Sequence, residues 1–227
     1  MSGRVVRLLV EGLIFDMDGL MIDSERLYFQ AEREIGRRFG REVSEETLWK
    51  MMGRKPADSI EIFVAEVGIP MAPGEVLEMR DRLMRELLQT DLVAMPGLDH
   101  IIGTFEKRLK LAIATGAPRE FVDIAVDKLK IREKFAVLQS SDEIERGKPH
   151  PESYVTTCKK LGVKPAHCVV LEDSENGVAA GKGAGCYVIA VPSAYTEKQD
   201  FSRADFIAPD LFQAQRHISG LIDPKGL

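Results

Sequence analysis

Two aspartates two residues apart, Asp16 and Asp18, close the apolar run Leu13-Ile14-Phe15 and precede Gly19. Residues two apart on an extended chain point the same way, so both carboxylates can enter one small site. Like charges that close repel, and a divalent cation is the simplest device for keeping both ionised. Gly19 lets the backbone turn or approach a ligand closely. Taken alone, Asp-x-Asp-Gly fits a solvated strand end equally well. Three later segments change that balance. Leu111–Ala114 runs apolar into Thr115 and Gly116, Lys148 stands between Gly147 and Pro149 ahead of a helical pattern, and Val169–Leu171 runs into Glu172 and Asp173. In an open parallel sheet the carboxyl ends of all strands face one crevice. Carboxylates, a hydroxyl, an ammonium and a second acidic pair can therefore converge.

The elements that must position these groups come in two textures. Between Ile22 and Thr90 the pattern is helical throughout. Leu27, Ala31, Ile35 and Phe39 recur at four-residue spacing, Ser44 with Glu45 and Glu46 starts a short helix, and Ile60, Phe63, Val64 and Val67 mark a third. Val76, Met79, Leu83 and Leu87 mark a fourth. From Leu98 onward short apolar strands alternate with helices, ending in an edge strand at Phe206-Ile207, which predicts a parallel sheet with helices on both faces. The expected fold is thus α/β: a Rossmann-like parallel-sheet core, residues 1–21 and 92–227, with an all-helical domain of residues 22–91 inserted after the first strand.

Composition narrows the partners. A formal net charge of −5 over 227 residues disfavours a nucleic-acid backbone. No apolar run approaches the roughly 20 residues of a membrane span, and the N-terminus carries no signal-peptide core. Cys158, Cys168 and Cys186 are odd in number, lack metal-ligand spacing, and read as reduced, buried residues of a cytoplasmic protein. His100, His167 and His217 show no partner spacing, and Trp49 with Met17, Met21, Met51 and Met52 reads as packing. A monomer or weak homodimer is expected.

The four segments, in this order and chemistry, resemble the haloacid dehalogenase superfamily in its phosphatase and phosphomutase branch, which includes pseudouridine-monophosphate phosphatase and beta-phosphoglucomutase. Phe15–Gly19 is similar to its first motif, Thr115 to its second, Lys148 to its third, and Glu172-Asp173 to its fourth. The resemblance spans about Leu13 to Val191 and implies that the helical insertion is a cap domain. It implies Asp16 as nucleophile, forming an aspartyl-phosphate, and Asp18 as general acid and base. It implies Mg²⁺ held by Asp16, the Asp18 carbonyl and Asp173, with Glu172 binding directly or through water. Thr115 and Gly116 would donate to the phosphoryl group, and Lys148 would offset charge on that group and on Asp16. Ser24, Arg54 and Lys55 are candidates for gripping a distal polar part of the substrate.

The implied activity is hydrolysis of a small phosphomonoester, a sugar or nucleoside phosphate. Dehalogenases of the superfamily have no acid where Asp18 stands. A phosphosugar mutase is the alternative, but its pattern has a histidine where this chain has Tyr28 and an arginine where Pro56 stands. It also has a lysine and an asparagine where Pro118 and Arg119 stand. A regulatory domain phosphorylated on aspartate fits less well, because it carries its acidic pair before the phosphoacceptor and has no helical insertion.

Overall fold

The computed structural model describes residues 8–52 and 56–222. The chain divides into two compact units, one of Met1–Ile22 with Val93–Leu227 and one of Asp23–Leu92. The first unit is built on a six-stranded sheet: β1 (Gly12–Phe15), β2 (Lys110–Ala114), β3 (Val137–Gln139), β4 (Cys168–Glu172), β5 (Tyr187–Ala190) and β6 (Phe206–Ile207). Their order is β3-β2-β1-β4-β5-β6 and every pairing is parallel. Leu13, Ile14 and Phe15 are fully buried, as are Val169, Val170 and Leu171 of β4. Continuous apolar runs of this kind belong to strands covered on both faces. Successive strands move one way from β1 to β3, then the other way from β4 to β6. The switch of direction falls between β1 and β4, where open sheets leave a ligand crevice at the carboxyl ends.

The second unit is helical: α1 (Ser24–Arg38), α2 (Glu45–Met51), α3 (Pro56–Val67) and α4 (Pro73–Thr90). Leu27, Ala31 and Ile35 of α1 join Leu48, Phe63, Val76 and Met84 in its buried apolar set. Ser44 caps α2, its hydroxyl accepting from the Thr47 amide at 3.1 Å. Two charged residues are buried here as well. Glu32 is 3% exposed and Arg80 is 5% exposed, with the Arg80 guanidinium 5.3 Å above the Tyr28 ring. Burial pushes the Glu32 carboxyl up to about 8 despite the opposing pull of Arg80. Trp49, expected to pack, is 46% exposed and meets Phe29 only edge-on at 6.3 Å. Arg54 and Lys55 lie outside the described residues.

Back in the first unit, α5 (Leu98–Phe105), α6 (Arg119–Lys128), α7 (Glu152–Leu161), α8 (Glu175–Ala184) and α9 (Leu211–Leu221) complete the α/β pattern. The last was not anticipated, although Leu211, Ala214, Ile218 and Leu221 form its buried face. Asp210 caps it by accepting from the Gln213 amide at 2.6 Å. The three cysteines are free and buried, with the Cys158 sulfur 3.6 Å from Cys168 and 3.9 Å from Cys186. No described helix is long and apolar enough to cross a membrane.

Candidate active site

The sheet delivers the chemistry-bearing residues at the carboxyl ends of its three central strands. Asp16 follows β1 directly, and its amide stays in the ladder by donating to the Leu171 carbonyl at 3.0 Å. Thr115 follows β2, its amide donating to the Gln139 carbonyl at 3.1 Å. Glu172 is the last residue of β4 and Asp173 the next. Asp16, Thr115 and Glu172 thus spring from backbone that is still hydrogen-bonded, which fixes their positions better than a free loop would.

Asp16, Glu172 and Asp173 are all buried, and each brings a carboxylate oxygen within 4.8 Å of the others. Lys148 reaches into this acid group from the loop before α7, where its peptide bond to Pro149 is cis. Its ammonium lies 2.5 Å from Asp16 Oδ1, 2.5 Å from Glu172 Oε1 and 3.2 Å from the Ala114 carbonyl. Burial raises the Asp16 carboxyl well above the usual range, with Glu172 and Asp18 adding to the effect and Lys148 opposing it. Burial alone would depress the Lys148 ammonium, but Asp16 and Glu172 reverse that and hold it well above its ordinary value. Burial thus lifts Asp16, and the carboxylates around Lys148 lift its ammonium.

The crowding of three carboxylates is what a divalent cation would relieve. Asp16 and Asp173, with Glu172 beside them, present buried carboxylate oxygens of the kind hard cations take. Gly19 shapes the space beside it: at φ +75° it takes a left-handed turn, and a Cβ there would sit 2.2 Å from Asp173 Oδ2. The residues present fit a metal ion.

Asp18 is half-buried, and the Thr115 hydroxyl donates to its Oδ2 at 3.0 Å while accepting from the Ala117 amide at 3.0 Å. A hydroxyl has one proton, so in this arrangement Thr115 serves Asp18 first. Before it could donate to a phosphoryl oxygen, the role the family resemblance implies, it must turn. Gly116 is exposed with open space around it, which leaves its backbone accessible. Ser24, in the helical unit, is fully buried and its hydroxyl has no partner among the described residues.

Two residues at the acid group were not singled out from the sequence. Tyr154, on α7, is fully buried and donates its hydroxyl to Glu172 Oε1 at 2.5 Å, while its ring lies 5.1 Å from the Lys148 ammonium. Burial, reinforced by Glu172, pushes the Tyr154 phenol well above its ordinary value, so it remains a donor. Ser174, the N-cap of α8, accepts from the Gly177 amide at 3.1 Å and donates its hydroxyl to Glu172 Oε2 at 3.0 Å. The signal for Tyr154 was its place six residues after Lys148, just inside the following helix.

Fold and site together define an enzyme of the phosphoric monoester hydrolase class, and the chain belongs to the haloacid dehalogenase-like hydrolases, whose family model matches residues 13–191. It is 33% identical over 180 residues to a phosphorylated carbohydrates phosphatase of Thermotoga maritima, covering 78% of this chain and 82% of that protein. A probable pseudouridine-5'-phosphatase of Drosophila melanogaster is 30% identical over 220 residues, covering 93% of this chain and 94% of that one. Among solved structures, a putative beta-phosphoglucomutase from Thermotoga maritima superposes with a TM-score of 0.81 at 26% identity, covering 94% of this chain and all of that one.

Proposed function

We propose that this protein is a Mg²⁺-dependent phosphatase that hydrolyses a small phosphorylated sugar or nucleoside through an aspartyl-phosphate on Asp16. The observation that carries the reading is the buried Asp16 carboxylate beside the Lys148 ammonium, with the half-buried Asp18 two residues on. Asp16 attacks phosphorus and the ester P–O bond breaks, while Asp18 gives its proton to the leaving oxygen. Water then attacks the phosphoryl group on Asp16, Asp18 takes the proton, and inorganic phosphate leaves. Lys148 neutralises Asp16 towards an anionic substrate, and the exposed Gly116 amide is a donor for the phosphoryl oxygens. Asp16, Asp173 and the Asp18 carbonyl would hold Mg²⁺, which supplies further positive charge to the phosphoryl group. Sugar phosphates are favoured as substrates by likeness to the carbohydrate phosphatase, and nucleoside phosphates by likeness to the pseudouridine phosphatase.

The mutase-like structural relative makes phosphoglucomutase the alternative. A mutase must keep its phosphoryl group from water until a sugar hydroxyl returns. The histidine and lysine that support this in the mutase pattern are replaced here by Tyr28 and Pro118. The test is phosphate release across a panel of phosphomonoesters, with Mg²⁺ and with EDTA. It is run beside beta-glucose 1-phosphate with a trace of the 1,6-bisphosphate. Steady Mg²⁺-dependent phosphate release is expected. Glucose 6-phosphate accumulating much faster than free phosphate would overturn the choice in favour of the mutase.

A further inference from the structure

The acid group contains one carboxylate whose bonding capacity is already used. An ionised carboxylate offers about four lone-pair sites. Glu172 accepts from Lys148 Nζ at 2.5 Å and Tyr154 Oη at 2.5 Å on Oε1, and from the Ser174 hydroxyl at 3.0 Å and the Ser174 amide at 3.3 Å on Oε2. All these donors belong to the protein. The carboxyl is also wedged against α8, because a Cβ on Gly177 would lie 1.9 Å from its Cδ. It has no room to swing.

We propose that Tyr154 is a positioning residue: its hydroxyl, with Ser174, holds Glu172 as the counter-ion of Lys148 and keeps that carboxylate out of the coordination shell of the metal. The inference deepens the phosphatase reading and rests on it. Glu172 and Asp173 are adjacent carboxylates, yet they face different work. Asp173 points at the cradle left by Gly19, whereas Glu172 faces donors on both of its oxygens. Lys148 is shared between Asp16 and Glu172, so the strength of the Glu172 grip decides how much of the ammonium reaches Asp16. The Tyr154 hydroxyl takes up part of the Glu172 charge and so leaves Lys148 for Asp16. Without it, Glu172 draws Lys148 away and has a lone pair free for a cation. A cation that accepts six to eight oxygens gains more from an extra carboxylate than one held to six in a strict octahedron. Calcium should therefore profit more than magnesium.

Tyr154→Phe is the test, because the ring over Lys148 and the packing of α7 survive it. MgCl2 and CaCl2 are titrated into resting wild-type and variant protein by calorimetry, and kcat and KM are measured with p-nitrophenyl phosphate. Partners of this kind commonly change affinity or activity by about 10–100-fold. The expected result is a rise of roughly tenfold in the Ca²⁺-to-Mg²⁺ affinity ratio, with kcat lower by about tenfold and KM within about twofold. An unchanged ratio overturns the proposal whatever happens to turnover. If Tyr154→Phe does not fold, Ser174→Ala frees the other oxygen of the same carboxylate, and the ratio must rise there too. A risen ratio in a protein that releases no phosphate from any ester would remove the phosphatase reading and leave the placement of Glu172 standing.

Discussion

Glu32 offers a test of the physics of the helical unit that needs no substrate. It is 3% exposed, and burial raises its carboxyl from 4.5 to about 8. Between those values the folded protein keeps a proton that the unfolded chain has released. The native state therefore binds more protons, and stability falls as pH rises through this window, levelling off above about 8. At about 1.4 kcal/mol for each pH unit the ceiling is roughly 5 kcal/mol. Relaxation and water penetration reduce such penalties in real interiors, so about 2–4 kcal/mol is expected. That is a large share of the roughly 5–15 kcal/mol by which domains are stable. Glu32→Gln keeps the shape and removes the titration. Denaturant unfolding followed by circular dichroism at pH 5, 7 and 9 should give nearly equal stabilities at the acid end. At pH 9 the variant should be ahead by the amount above, because every other titrating group is common to both proteins. Parallel curves, or a variant that is weaker at pH 9, would show that Glu32 is already ionised against Arg80 and refute the reasoning.

The remaining expectations concern the acid group. Asp16→Asn should lower turnover by several powers of ten while thermal unfolding shows an intact fold; near-normal phosphate release would end the covalent reading. Asp173→Ala should raise the Mg²⁺ concentration needed for half-maximal rate by about tenfold or more, and an unchanged metal dependence would mean that the cation sits elsewhere. Gly19→Ala combines a φ of +75° with a Cβ 2.2 Å from Asp173 Oδ2, so both stability and Mg²⁺ affinity should fall. A variant with wild-type affinity by calorimetry would show that Asp173 does not need that space.

The fold was legible because its signals are local. Leu13–Phe15 and Val169–Leu171 are apolar throughout, as doubly covered strands must be, and the helices of residues 24–90 show four-residue stripes. The meeting of Asp16, Lys148, Glu172 and Asp173 followed from the rule that parallel strands open at one edge. What escaped notice depends on contacts across the fold. Tyr154 reads as one more apolar position of α7, and nothing local says that its hydroxyl meets a glutamate at the end of β4. The bond from the Thr115 hydroxyl to Asp18 is likewise a contact that no spacing contains. Glu32 sits beside the Ala31 stripe, where a charge ordinarily faces water, so its burial against α4 was hidden. The α9 stripe of Leu211, Ala214, Ile218 and Leu221 keeps helical spacing behind the Asp210 cap, and so was legible in the sequence.

The place of β1 in the sheet has a consequence in time. It is the central strand, at residues 12–15, and its two neighbours lie at 110–114 and 168–172. Ribosomes add about 5–20 residues each second, so this apolar strand emerges seconds before its first partner and longer before its second. Until β2 emerges both of its edges are open for pairing with other chains, and one stays open until β4 follows. The carboxylates at its tip are equally alone, since Glu172 and Asp173 arrive with the second neighbour. A nascent chain stopped before residue 172 would carry half of the acid group and an unpaired strand. The β1–β4 pairing at the centre of the mature sheet therefore waits for residues 168–172, and the candidate cation site cannot form until they arrive.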